Sequence, residues 1–174
     1  MEQDIVDRIT RDLAEIGVEA DTDGLAVTGR ILRLARNIER ARDRLLGEFG
    51  LSVADFDVMA TLRRRAEPTG LKTKHLQTAL MITSGGMTKR LDRLESAGLI
   101  ERHPDPQDRR GVLITLTTEG RRVIDEALPF LLNEEAKTIG DAIGNARDRE
   151  RLASLLRHLL VGMDGPAQAP DGGS

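Results

Sequence analysis

The residues with the greatest chemical potential lie between positions 83 and 121. Ser84, Gly85 and Gly86 put small residues at a helix start, where free N–H groups and the helix dipole attract an anion. Thr88, Lys89 and Arg93 follow at helical spacing. At about 100° per residue, Met87, Leu91 and Leu94 form one apolar line, with Gly85, Lys89, Asp92, Arg93 and Ser96 opposite and Thr88 on the flank. Such a short, polar and partly basic face suits a helix that enters the major groove of duplex DNA. Farther along, Asp108, Arg109 and Arg110 stand in the Pro-, Asp- and Gly-rich run HPDPQDRRG. Arginines at a hairpin tip suit a minor groove, whose negative potential favours them, and Asp108 can orient one through a charge-assisted hydrogen bond. A solvated helix face and a solvated turn are the plain readings of the same residues.

Charge is distributed in keeping with a polyanion partner. The net charge is −3, yet Leu71 to Gly111 holds eight Lys/Arg against five Asp/Glu. A basic centre therefore sits in an acidic frame.

These residues need elements to hold them. Thr73 to Leu80 reads as a short helix burying Leu76 and Leu80, and a tight turn, Met81-Ile82-Thr83, leads to a second helix over 84–97 stopped by Gly98. Residues 99–116 read as a β-hairpin, with LIER and VLITL as its strands and HPDPQDRRG as its tip. The helix ahead of this group spans about 53–65, with Ser52 as N-cap, Asp55 at the third position and a Leu51–Phe56 staple. It buries Val53, Phe56, Met59 and Leu62 and ends before the turn pair Pro68 and Gly70.

Longer amphipathic helices flank this segment. Residues 4–16 carry an Ile5, Ile9, Leu13 and Ile16 stripe, and about 25–48 carries Val27, Ile31, Leu34, Ile38, Ala41 and Leu45. A helix capped by Thr117 or Thr118 contains Pro129, which should kink it, and a leucine-rich helix covers about 146–161. The fold class expected is mainly α with a small β-hairpin wing: a winged helix-turn-helix plus a helical dimerisation region. The expected division is an N-terminal extension helix (1–20), dimerisation helices (25–50 and 118–162), a winged DNA-binding lobe (51–117) and a disordered tail (163–174). The flanking helices are too apolar on one face to stay solvated, and a second copy of the chain is the simplest partner.

Composition removes other chemistries. The absence of Cys excludes disulfides, thiolate metal sites and thiol redox sensing. His75, His103 and His158 lack metal-type spacing, and neither a nucleophile elbow nor a phosphate loop is present, so no metal, no cofactor and no enzyme activity are expected. Aromatic residues make up only 2% of the chain, which favours aliphatic helix packing. No run approaches the roughly 18–20 apolar residues of a membrane span, and the acidic N-terminus is unlike a secretory signal. A cytoplasmic protein with no membrane contact is expected. Arg33, Arg36, Arg40 and Arg44 form a stripe open to three readings: a solvated face, a surface for acidic groups of a partner subunit, or the lining of an anion pocket.

The run TSGGMTKRLDRLESAGLIERHPDPQDRRGVLITLTTEGR, residues 83–121, resembles the signature of the MarR family of transcriptional regulators, and the likeness extends over about 25–161. The resemblance implies a homodimer in which two winged lobes read a pseudo-palindromic double-stranded DNA operator. It aligns Arg110 with a minor-groove arginine, Asp108 with its positioning partner, and Ser84, Thr88 and Lys89 with recognition-helix contacts. A narrower likeness, through FDVMATLRR at 56–64 and the extra N-terminal helix, is to the urate-responsive, HucR/PecS-like subgroup. That likeness implies a small anionic or aromatic effector held by Asp57, Arg90 and Arg102. The subgroup's N-terminal tryptophan has no counterpart in a chain without Trp, and a structural salt bridge among the three residues is the other reading. A ligand-responsive repressor is the function expected, and a winged-helix protein–protein adaptor is the alternative.

Overall fold

The computed structural model describes residues 3–65 and 70–164. In order, its elements are α1 (Ile5–Glu15), α2 (Asp23–Gly47), α3 (Val53–Arg65), β1 (Leu71–Lys72), α4 (Thr73–Leu80), α5 (Ser84–Ser96), β2 (Ile100–Asp105), β3 (Asp108–Leu116), α6 (Thr118–Ala142) and α7 (Ala146–Asp164). The fold is mainly helical with one small antiparallel sheet in the order β1-β3-β2. The chain divides into two compact units, Met1–Leu128 and Pro129–Ser174.

The start of α3 follows from its sequence. Ser52 Oγ accepts the Asp55 N–H at 3.2 Å, and Asp55 Oδ2 accepts the Ser52 N–H at 3.2 Å, which closes a capping box. Leu51 and Phe56 are both buried, as a staple across that box requires. Val53, expected inside, is only half-buried, while Val58 and Thr61 are buried. The cause is packing on several sides, since α2, α4, α5 and β3 all touch α3.

Between α4 and α5 the chain turns tightly. Met81 adopts a left-handed conformation (φ 50°) that ends α4. Thr83 then caps α5 by accepting the Gly86 N–H at 3.3 Å. The pair is a helix-turn-helix, and β2 and β3 form the wing that follows it. Both strands run farther than LIER and VLITL, because Asp105 pairs with Asp108 and only Pro106 and Gln107 remain as the turn. Strand β1 has no sequence signal, since two residues show no alternation. Gly70 (φ +90°) brings the chain in beneath it, where a Cβ would stand 2.7 Å from the Ile114 carbonyl oxygen. Pro68, the other half of the expected turn pair, lies outside the described residues.

The outer helices depart more from expectation. On α1 the buried residue is Val6, whereas Ile9 and Ile16 of the stripe are exposed. Val6 seats against Gly29 of α2, where an added Cβ would lie 3.3 Å from Val6 Cγ1. Arg30 fastens the pair by reaching Asp4 at 2.8 Å and Asp7 at 2.7 Å. The expected face of α2 is exposed or half-buried, and its buried residue is Leu46. Helix α6, capped by Thr117 through the Gly120 N–H at 2.9 Å, continues through Pro129. Helix α7 extends to Asp164, so Met163 and Asp164 are helical rather than part of a disordered tail; residues 165–174 lie outside the described set. Among the described residues, α7 buries nothing.

Candidate nucleic-acid interface

Helix α5 presents a buried line and an open face. Met87, Leu91 and Leu94 are all sealed inside. Ser84, Gly85, Thr88 and Lys89 are exposed. A Cβ at Gly85 would meet nothing within 4 Å, so nothing among the described residues demands glycine there. The Thr88 hydroxyl donates to the Ser84 carbonyl at 3.1 Å, which leaves its oxygen able to accept. Among the described residues, Lys89 has no ion pair.

Arg93 is exposed as well, but unlike Lys89 it is already engaged. Its Nε and Nη2 donate to one carboxylate oxygen of Asp55, at 3.0 and 2.5 Å, and Nη2 also reaches Ser52 Oγ at 2.8 Å. Helical angle alone places Arg93 on the outward face. A long side chain at the edge of that face can fold back to a buried carboxylate, and here it does.

The three residues expected around an effector are split between two places. Arg102 on β2 pairs with Asp92 at 2.7 Å and Glu95 at 2.8 Å, both on α5. Asp57 on α3 is half-buried, and that burial raises its pKa against the fields of Arg42 on α2 and Arg90 on α5. Asp57 thus lies in the fields of two arginines from different helices, while burial disfavours its charge. Arg102 already has two carboxylate partners of its own.

The wing is built around Asp105, which is buried. One carboxylate oxygen closes a turn by accepting the Gln107 N–H at 2.9 Å. The other lies 2.8 Å from Lys72 Nζ, as an ion pair rather than an aligned hydrogen bond. Lys72, the Gln107 N–H and the Asp108 N–H together hold the Asp105 pKa below the usual carboxylate value. Beyond it, Pro104 pairs with Val112 although Asp105 pairs with Asp108, so Arg109, Arg110 and Gly111 form a bulge with no partner in β2. Gly111 closes this bulge, because a Cβ there would sit 2.8 Å from the Asp105 Cβ. Asp108 is exposed at the foot of the bulge.

The family model described as MarR family matches residues 51–112, from the cap of α3 into β3. The transcriptional regulator PecS of Dickeya dadantii is 41% identical over 132 residues, covering 69% of this chain and 78% of the relative. The chain belongs to the MarR family. The multiple antibiotic resistance protein MarR of Escherichia coli is 36% identical over 98 residues, covering 54% of this chain and 66% of that protein. A solved structure of a mutant of the Escherichia coli MarR complexed with operator DNA aligns with a TM-score of 0.70 at 25% identity, over 82% of this chain and 99% of that one. A MarR family member is a transcriptional regulator, and not an enzyme.

Two pieces of the candidate site escape sequence reasoning, one with no local signal and one with a signal that goes unread. Lys72 and Asp105 are 33 positions apart and share no motif, so only the pairing of both β1 and β2 with β3 brings them together. Gly120, in the Leu-Thr-x-x-Gly run of the MarR signature, is the second. A Cβ there would come within 1.8 Å of the Leu99 carbonyl oxygen. The start of α6 therefore lies directly on the chain leaving α5, and Thr117 Oγ1 donates to the Gly98 carbonyl at 2.7 Å across the same joint. Glycine in that run is the available signal, since a helical glycine with no turn to make points to a close approach.

Proposed function

We propose that this MarR family regulator is a homodimeric, ligand-responsive repressor that binds a pseudo-palindromic operator in double-stranded DNA. Helix α5 enters the major groove with Ser84, Gly85, Thr88 and Lys89, and the bulge bearing Arg109 and Arg110 enters the neighbouring minor groove beside Asp108. The observation that carries this reading is the exposed α5 face, where, among the described residues, Lys89 has no ion pair and nothing crowds the Cβ position of Gly85. The dimer is supported by α7, whose Leu155 is 58% and Leu160 60% exposed. Two copies would set half-sites roughly 34–36 Å apart, one turn of duplex. In this scheme residues 51–117 are the DNA-binding lobe, and the helices over 25–50 and 118–162 mediate dimerisation, with 1–20 as an extension.

The effector is a small anion, aromatic or not, that competes with Asp57 for Arg42 and Arg90, with Arg102 joining only if it leaves Asp92 and Glu95. Its binding between α2 and the lobe shifts the separation of the two recognition helices, and operator affinity falls by linkage. No helix among the described residues is long and apolar enough to cross a membrane, in keeping with action on DNA in the cytoplasm. A gel shift with DNA flanking the gene tests the reading. Wild-type protein should shift it in preference to random competitor, and Arg110→Ala and Lys89→Ala should each weaken the shift. A protein–protein adaptor would show no sequence preference at all.

A further inference from the structure

Helix α5 is held by ion pairs on both flanks of its open face. On one flank Arg93 reaches Asp55 and Ser52 at the cap of α3. On the other, Asp92 and Glu95 hold Arg102 of β2. Both clamps grip the C-terminal half of the helix, whereas Ser84 to Lys89 have no such tie among the described residues. The Arg93 clamp reaches into the interior, because Asp55 is only 4% exposed while the Arg93 side chain remains 56% exposed. Asp55 also caps α3 through the Ser52 N–H, and the Val53 N–H of the same turn donates to Asp43 of α2 at 3.3 Å. The Arg93 guanidinium thus connects α5 to the point where α2 and α3 meet.

We propose that Arg93 is a positioning residue: it takes no part in DNA contact, and through Asp55 and Ser52 it fixes the angle at which α5 meets the groove. The proposal rests on the reading of α5 as the recognition helix. The mechanism is conformational selection: without the clamp, α5 samples several tilts, and apparent affinity falls by the fraction of time spent in the right one. A fraction of about one tenth raises the operator Kd about tenfold. The salt dependence stays as it was, because no phosphate contact is lost.

The test uses the full-length chain and operator duplex, titrated over a range of salt concentrations. Arg93→Ala should weaken operator binding about tenfold with an unchanged slope, whereas Lys89→Ala should flatten the slope by about one. Asp55→Asn keeps an amide oxygen for the cap and gives the more telling sign. If Arg93 positions the helix, Asp55→Asn weakens binding, and the double variant is no weaker than either single one. If Arg93 contacts DNA, Asp55→Asn releases it and tightens binding, and Arg93→Ala flattens the slope; either result overturns the proposal. Should Arg93→Ala fail to fold, Asp55→Asn decides by sign alone. Hydrogen exchange without DNA separates this proposal from the functional reading beneath it. Amides in the C-terminal half of α5 should exchange faster in Asp55→Asn than in wild type, whatever the protein binds. Equal rates would overturn the clamp, while a wild-type protein with no DNA preference would overturn only the reading of α5.

Discussion

In α5, Met87, Leu91 and Leu94 are sealed within their own unit, whereas in α7 Leu152, Leu155, Leu156, Leu159 and Leu160 all face outward. The two helices have similar apolar periodicity in sequence, and their burial is opposite. The winged lobe closes on itself because α3, α4, α5 and the sheet each cover another's apolar side. Helix α7 has no such neighbour among the described residues. The contrast separates a lobe that covers its own apolar side from a helix whose leucines stay open, which is the face the proposed dimer would use.

The largest expected effect sharpens the self-contained side. Gly120→Ala would force a Cβ to within 1.8 Å of the Leu99 carbonyl oxygen, and the joint between α5 and α6 cannot absorb it. A loss on the order of 3–5 kcal/mol is expected in urea unfolding, with operator binding lost as well. Near-wild-type stability would show that the joint is looser than the structure has it.

A paired substitution comes next. Leu91→Ala should cost about 3 kcal/mol at any protein concentration, because its cavity lies inside one lobe. Leu155→Ala should instead make the melting temperature fall more steeply on dilution, as loss of a covered interface would. If both variants melt without concentration dependence, α7 is not an interface, and the contrast fails.

The third effect concerns the wing. Asp105 has a lowered pKa, caused first by Lys72, and its contribution to stability is complete above the ordinary carboxylate value. That contribution disappears as pH falls through the lower folded value. The Lys72 pKa is raised by the same pair, so its share is lost only as pH rises through that raised value in the alkaline range. Asp105→Asn should remove the acid-side transition of the β2–β3 amides, followed by NMR between pH 5 and about 2. An unchanged acid transition would mean that the wing is held by its ladder alone.

The smallest effect has the opposite sign. Burial raises the Asp57 pKa, so its ionised form opposes folding, and stability is lost as pH rises through that elevated value. Asp57→Asn should therefore melt above wild type at neutral pH and level with it in acid. A lower melting temperature at pH 7 would show that Arg42 and Arg90 need the carboxylate more than burial disfavours it.

Much of the lobe was legible in the sequence. The cap at Ser52, the bounds of α3 and α4 and the buried line of α5 all follow from local signals that act within one or two turns. The fold class and the MarR resemblance rest on the same stretch. What escaped is non-local. Strand β1 exists because Leu71 pairs with Ile114, a partner 43 residues away. The engagement of Arg93 depends on Asp55, 38 residues earlier, and no helical wheel of α5 alone contains that information. The stripe of α1 misled for the same reason: a glycine notch at Gly29 selected Val6 over the more periodic isoleucines.

The unpaired run Arg109-Arg110-Gly111 has a consequence for how such a protein changes over generations. Outside the ladder, two positions can be rewritten without disturbing any strand pairing, provided the glycine that closes over Asp105 is kept. Descendants of this chain can thus change the residues at the tip while the scaffold beneath is inherited intact.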